Sequence, residues 1–233
     1  TERMLASMGA AIRPLDPPAH GAVALPLAAP LRPLDLELPG DISSAAFLIV
    51  AATILPGSDL TLRRIGVNPT RTGILDALRA MGARIDLLDQ ATLAGEPVAD
   101  IRVRHAPLVA TEVSGHLVVR MIDEFPAFMI AAACARGVTA VRDAAELRTK
   151  ESDRIAGMAA NLRAVGVEIH EQPDGFDIFG GAIPGGAVVD AHGDHRVAMS
   201  LALAALVAKR PITIAGFDIL AESFPDFPAV LGL

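Results

Sequence analysis

Three short stretches of the chain hold the residue types that proton transfer and anion binding require. Arg148-Thr149-Lys150-Glu151-Ser152-Asp153-Arg154 packs three cations and two carboxylates into seven residues. Asp123-Glu124 precedes Phe125-Pro126, and Asp194-His195-Arg196 precedes Val197. Carboxylates can give and take protons, and arginine offers a planar, permanently charged fork to an oxyanion. Each stretch stands immediately before an apolar run, where a helix begins. Short polar residues there satisfy free backbone N–H groups, and Asp41, Ser43, Asn68 and Ser223 read first as such caps. Capping does not account for Lys150, Arg154 and Arg196, because a cation at a helix N-terminus faces the unfavourable end of the dipole. A bound anion would offset that cost. A solvated charge cluster is the competing reading of Lys150 to Arg154. His195 reads equally as structural or catalytic, and Asp123 with Glu124 can be read simply as a helix start.

The elements that position these residues are repeated. A helix-ending signature, Ala6-Ser7-Met8-Gly9, recurs as Arg79-Ala80-Met81-Gly82, Arg163-Ala164-Val165-Gly166 and Ala229-Val230-Leu231-Gly232. Upstream of the last three copies lies a nearly all-apolar helix opened by an acid, beginning at Gly40-Asp41, Ile122-Asp123 and Gly193-Asp194. Strand-like runs follow the apolar helices at Leu60–Leu62, Val138–Val141 and Pro211–Ile214. Others follow the glycines, at Ala83–Leu88, Ile101–Val103, Val167–His170 and Phe176–Phe179. The repeating unit is strand, apolar helix, strand, amphipathic helix, strand, strand, with copies over 37–113 and 114–187 and a truncated one over 188–233. A helix apolar all round must be covered on every side. The pattern therefore predicts a mixed α/β fold, with three parallel helices inside and sheets and amphipathic helices outside. Their gathered N-termini would favour anions at one end.

Arg13 to Pro39 holds seven prolines, which disfavours regular structure and suits a crossing between lobes. A boundary falls near residue 36, and residues 1–36 read as the tail of a second lobe whose bulk lies outside this chain. With 233 residues, 52% of them hydrophobic, a large core is available. Cys134 is the single cysteine, so no disulfide framework forms within the chain, and a reducing, cytoplasmic setting is expected. The net charge of -7 argues against nucleic acid or an anionic membrane as the main partner. His192, Asp194 and His195 match no closed metal site, and no phosphate loop of the nucleotide type occurs. No metal and no cofactor is expected.

The motifs Gly40-Asp41-Ile42-Ser43-Ser44, Asn68-Pro69-Thr70-Arg71-Thr72-Gly73, Met121-Ile122-Asp123-Glu124-Phe125-Pro126, Arg148 to Arg154, Gly193-Asp194-His195-Arg196 and Ser223-Phe224-Pro225-Asp226-Phe227 occur in an order that resembles the 5-enolpyruvylshikimate-3-phosphate synthase family of enolpyruvyl transferases. The resemblance implies a two-lobed enzyme, each lobe an inside-out α/β barrel of three repeats, with shikimate 3-phosphate and phosphoenolpyruvate bound between the lobes. By the same resemblance, Asp123 takes the proton of the attacking 5-hydroxyl. Glu151 adds and later removes a proton at the phosphoenolpyruvate methylene. Lys150 contacts substrate near the reacting hydroxyl, Arg154 and Arg196 hold phosphoenolpyruvate, and Asp194 and His195 join the substrate-binding set. All the cations between Arg148 and Arg154 would then serve a dianionic substrate. Where some members carry lysine this chain has Glu222, and the family's residues from the other lobe lie outside it. The chain would be the C-terminal portion of an enzyme that is monomeric at full length, and inactive without its other half. The related transferase acting on UDP-N-acetylglucosamine and a non-catalytic anion-binding module are the alternatives.

Overall fold

Helix α1 (Glu2–Ser7) ends at Gly9, and two short strands, β1 (Arg13–Pro14) and β2 (Val23–Ala24), pair antiparallel. The computed structural model describes residues 2–14, 23–24 and 30–232. Much of the proline-rich crossing therefore lies outside the described residues. The described part departs from the expectation of irregular chain by that one pair of strands, which proline tolerates because it lacks the second neighbour a central strand would need. Ser7 Oγ donates to the Ala94 carbonyl at 2.8 Å and Arg3 Nη1 lies 3.3 Å from Glu96 Oε2, so α1 rests on the turn between two later strands.

Three copies of one unit follow. The first comprises α2 (Ile42–Ile54), β3 (Asp59–Gly66), α3 (Gly73–Ala80), β4 (Arg84–Leu93) and β5 (Glu96–Arg104). The second comprises β6 (Glu112–Val113), the short α4 (His116–Val119), α5 (Phe125–Cys134), β7 (Gly137–Val141), α6 (Arg154–Ala164), β8 (Glu168–Gln172) and β9 (Gly175–Gly180). The third holds β10 (Val188–Asp190), α7 (His195–Val207), β11 (Thr213–Ala215) and α8 (Phe227–Leu231). Sheet order repeats accordingly. β5 lies between β3 and β4, and β9 between β7 and β8, all antiparallel, while β6 runs parallel to β7 and β10 parallel to β11. In the first unit the opening strand is reduced to a parallel bridge between Gly40 and Ile65. Among the described residues the sheets stay separate, so the expected barrel does not close as one continuous sheet.

Helices α2, α5 and α7 fill the interior and pack pairwise on one another. Every residue of α5 from Phe125 to Ala133 is buried. Phe125 meets Phe128 and Phe176 edge-on at ring separations of 6.0 and 6.2 Å, joining this helix to β9. The four repeated glycines, Gly9, Gly82, Gly166 and Gly232, all have positive φ, between 74° and 96°. Such a backbone conformation turns the chain out of a helix, and glycine adopts it without a Cβ penalty. The repeat reaches the side chains as well. Arg79 Nη2 donates to the Ile85 carbonyl at 3.1 Å, and Arg163 Nη2 to the Ile169 carbonyl at 3.0 Å, each arginine fastening its helix to the following strand. Among the described residues no helix is long and apolar enough to cross a membrane.

Candidate active site

The first turns of the three interior helices are tied together by side chains. Asp41 caps α2 through Ser44 N at 2.8 Å, and Asp194 caps α7 through Arg196 N at 2.9 Å. Glu124 occupies the same place before α5 but makes no cap bond there. Its Oε1 accepts from Ser43 Oγ in α2 at 2.5 Å, and Ser43 Oγ accepts from Arg71 Nη2 at 2.9 Å. From α7, Arg196 Nη1 donates to the Asp123 carbonyl at 3.3 Å. Helices that pack side by side and meet at their first turns run in one direction, as the repeat predicts.

Arg154, the first residue of α6, projects into this convergence and is only 1% exposed. Its Nε lies 2.8 Å from Asp194 Oδ2, its Nη2 is 2.6 Å from Glu151 Oε2, and its Nη1 is 3.5 Å from Asp123 Oδ1. Arg196 Nη2 is 3.8 Å from Asp123 Oδ2, while its buried Nε has no hydrogen-bond partner among the described residues. A guanidinium can be kept in a protein interior only when anions surround it; here three carboxylates do so. Glu151 stays half exposed and Asp123 about a third exposed, so both keep surface open to solvent.

Asp194, expected to touch substrate, is fully buried, and its oxygens are taken by Arg154, by Ser152 Oγ at 3.1 Å and by the N–H groups of α7. It positions Arg154. Burial alone would raise its carboxyl, but the hydrogen bond and charge of Arg154, with the N–H groups of Arg196 and Val197, hold it below the ordinary range. Burial pushes the Glu124 carboxyl up, against the hydrogen bond from Ser43 and the charges of Arg71 and Arg196.

Two cations of the Arg148–Arg154 stretch have partners outside the Arg154 cluster in this structure. Arg148 bonds Asp153 Oδ2 at 2.9 Å and the carbonyls of Gln172 and Pro173 at 2.7 and 3.0 Å, bracing the entry of α6 against β8. Asp153 itself caps α6 at Ala156 N. Lys150 Nζ sits 2.5 Å from Glu146 Oε1 on the preceding 3-10 turn, outside the Arg154 cluster. His195 opens α7, half-buried, with no side-chain hydrogen bond among the described residues. Of the residues read as caps, Asp41 alone caps; Asn68 closes a turn on Thr70 and bonds Glu96, and Ser223 ends a 3-10 turn. Ser152 and Arg71 join this network without a site role from the sequence, while Ser43, read as a cap, and Glu124, read as a helix start, bond each other instead.

Three β/α units around parallel helices, with arginines and carboxylates at the helix starts, define a lobe of the enolpyruvyl-transferase fold. A solved enolpyruvyl transferase, NikO from Streptomyces tendae, shares that fold at TM-score 0.75 and 22% identity, covering 98% of this chain and 50% of that one. EPSP synthase from Acinetobacter baumannii superposes at TM-score 0.93 with 40% identity, covering all of this chain and 53% of its own. Among curated relatives, the 3-phosphoshikimate 1-carboxyvinyltransferase of Citrifermentans bemidjiense is 51% identical over 231 residues, 99% of this chain and 53% of its own length. That of Acidithiobacillus ferrooxidans is 58% identical over 195 residues, 84% and 45% of the two chains. The family model for EPSP synthase (3-phosphoshikimate 1-carboxyvinyltransferase) matches residues 1–231, and the chain belongs to this family. It spans about half the length of the curated relatives it matches.

Proposed function

We propose that the complete enzyme transfers the enolpyruvyl group of phosphoenolpyruvate to the 5-hydroxyl of shikimate 3-phosphate and releases phosphate. Residues 37–233 form one lobe of the cleft, and residues 1–36 are the tail of a second lobe with its crossover. The observation that carries the reading is a single buried guanidinium, Arg154, with Glu151 and Asp123 at its two outer nitrogens and Arg196 beside them. Adding an alcohol across an enol ether needs a base at the hydroxyl and an acid at the methylene carbon, on separate groups.

Asp123 takes the hydroxyl proton as the oxygen bonds to C2 of phosphoenolpyruvate, and Glu151 gives a proton to C3. Glu151 then removes a proton from the resulting methyl group, the C2–O bond to phosphate breaks with its electron pair, and the double bond reforms. Arg196, whose buried Nε is unpartnered among the described residues, and Arg154 hold the anionic groups. Lys150 swings from Glu146, a solvent-facing pair of small net value, to the substrate near the hydroxyl, and His195 lines the approach. Asp194 acts through Arg154. The same proposal places the enzyme in the cytoplasm as a monomer, and leaves the 233-residue chain alone with weak binding and negligible turnover.

Phosphate release by the complete enzyme with both substrates tests the roles. Asp123→Asn and Glu151→Gln should each lower kcat at least about 10²-fold. Wild-type rates in both variants end the assignment. Turnover that requires UDP-N-acetylglucosamine moves the chain to the related transferase, and phosphoenolpyruvate binding without turnover leaves an anion-binding module.

A further inference from the structure

Glu124 is a buried acidic side chain at the convergence that the proposed chemistry does not use. It is 2% exposed, and its hydrogen-bond partner among the described residues is the Ser43 hydroxyl. Two features set it apart. The acids in the matching place of the other repeats, Asp41 and Asp194, accept N–H groups of their own helices, whereas Glu124 turns away from α5 to reach α2. It also stands in the middle of one polar chain that crosses all three repeats. That chain runs from Arg71 to Ser43 at 2.9 Å and from Ser43 to Glu124 at 2.5 Å. It continues through the neighbouring Asp123 carbonyl to Arg196 Nη1 at 3.3 Å.

We propose that Glu124 is a positioning residue of this site: bonded to Ser43, which Arg71 backs, it pins the first turn of α5 to that of α2 and so sets the Asp123 carbonyl on which Arg196 is seated. The proposal rests on the transferase reading for the identity of the anion, not for the geometry. Arg196 makes its shortest polar side-chain contact with that carbonyl, so a shift of the Asp123 backbone moves the guanidinium that awaits the ligand. With no ion pair among the described residues, burial favours the protonated carboxyl and pushes its pKa up. Neutrality matters for charge. An ionised Glu124 would add a second negative charge beside Asp123, where a phosphorylated anion must bind.

The test is Glu124→Gln, Glu124→Ala and Ser43→Ala in the complete enzyme, with phosphate-release kinetics and calorimetric binding of phosphoenolpyruvate. The Gln amide can accept the Ser43 hydroxyl and carries no charge, so Glu124→Gln should stay within about threefold of wild type in kcat/KM. Glu124→Ala should raise KM and Kd for phosphoenolpyruvate at least about tenfold, as lost supporting contacts do, and Ser43→Ala should shift both in the same direction. If Glu124→Ala folds poorly, Ser43→Ala carries the test alone. A Glu124→Ala or Ser43→Ala enzyme with wild-type constants per folded molecule, or a Gln variant as impaired as Ala, overturns the proposal. Wild-type enzyme that binds phosphoenolpyruvate without turnover, yet loses affinity in Glu124→Ala, sinks the transferase reading and keeps the positioning role.

Discussion

Under the proposed roles, Arg154 and its three carboxylates divide stability and chemistry among different members of one network. Asp194 is fully buried and Arg154 nearly so. Removing the buried acid leaves a guanidinium short of its closest Nε partner, and Asp194→Ala should cost about 3–5 kcal/mol in denaturant unfolding of the complete enzyme. Glu151 is half exposed, so Glu151→Gln should change stability by about 1 kcal/mol or less while nearly abolishing turnover. Equal stability losses in the two variants would contradict this division of roles. Motif order pointed to Asp123, Glu151, Arg154 and Arg196 from sequence. Ser152, Ser43 and Arg71 escaped because their partners lie 42, 81 and 28 residues away, at distances no local pattern records. Arg148 misled for a related reason: the Asp153 carboxylate and the Gln172 and Pro173 carbonyls take up its donors, and two of those partners reach it only through the fold.

At the scale of elements, the glycine after each amphipathic helix was the clearest sequence signal, because its period and its backbone requirement coincide. Gly82 and Gly166 are equivalent, with φ of +96° and +85°, yet their surroundings differ. An added Cβ at Gly82 meets nothing closer than the Pro107 carbonyl at 3.7 Å, whereas at Gly166 it falls 2.9 Å from Pro184 Cγ. Gly82→Ala should therefore cost about 1–2 kcal/mol from backbone conformation alone. Gly166→Ala should cost more, since a proline ring cannot swing aside. Matching losses in denaturant melts would mean that the Pro184 contact relaxes freely. The strands were legible as existing but not in extent: β4 runs five residues beyond the predicted Leu88, across a shift in register between Leu88 and Ala91. Its outer half is exposed, so burial gives it no alternation to read.

For the whole molecule, the convergence of three helix starts sets opposing demands on pH. Asp194 has a folded pKa below its ordinary 3.8, so its contribution is present above that value and is lost as pH falls through the folded pKa. Glu124 has a folded pKa above its ordinary 4.5, so the stability gained from its protonated form is present below 4.5 and is lost as pH rises toward the raised pKa. The two groups act with opposite sign, Asp194 losing its contribution toward acid and Glu124 toward higher pH. In thermal unfolding of the complete enzyme, Glu124→Gln should lose less stability than wild type from pH 4.5 upward, because the amide has no proton to give. On the acid side, below 3.8, the variant should follow wild type, since Asp194 still titrates there. Parallel curves above pH 4.5 would show that Glu124 ionises in the fold as readily as in the unfolded chain, and that the burial and charges around it cancel.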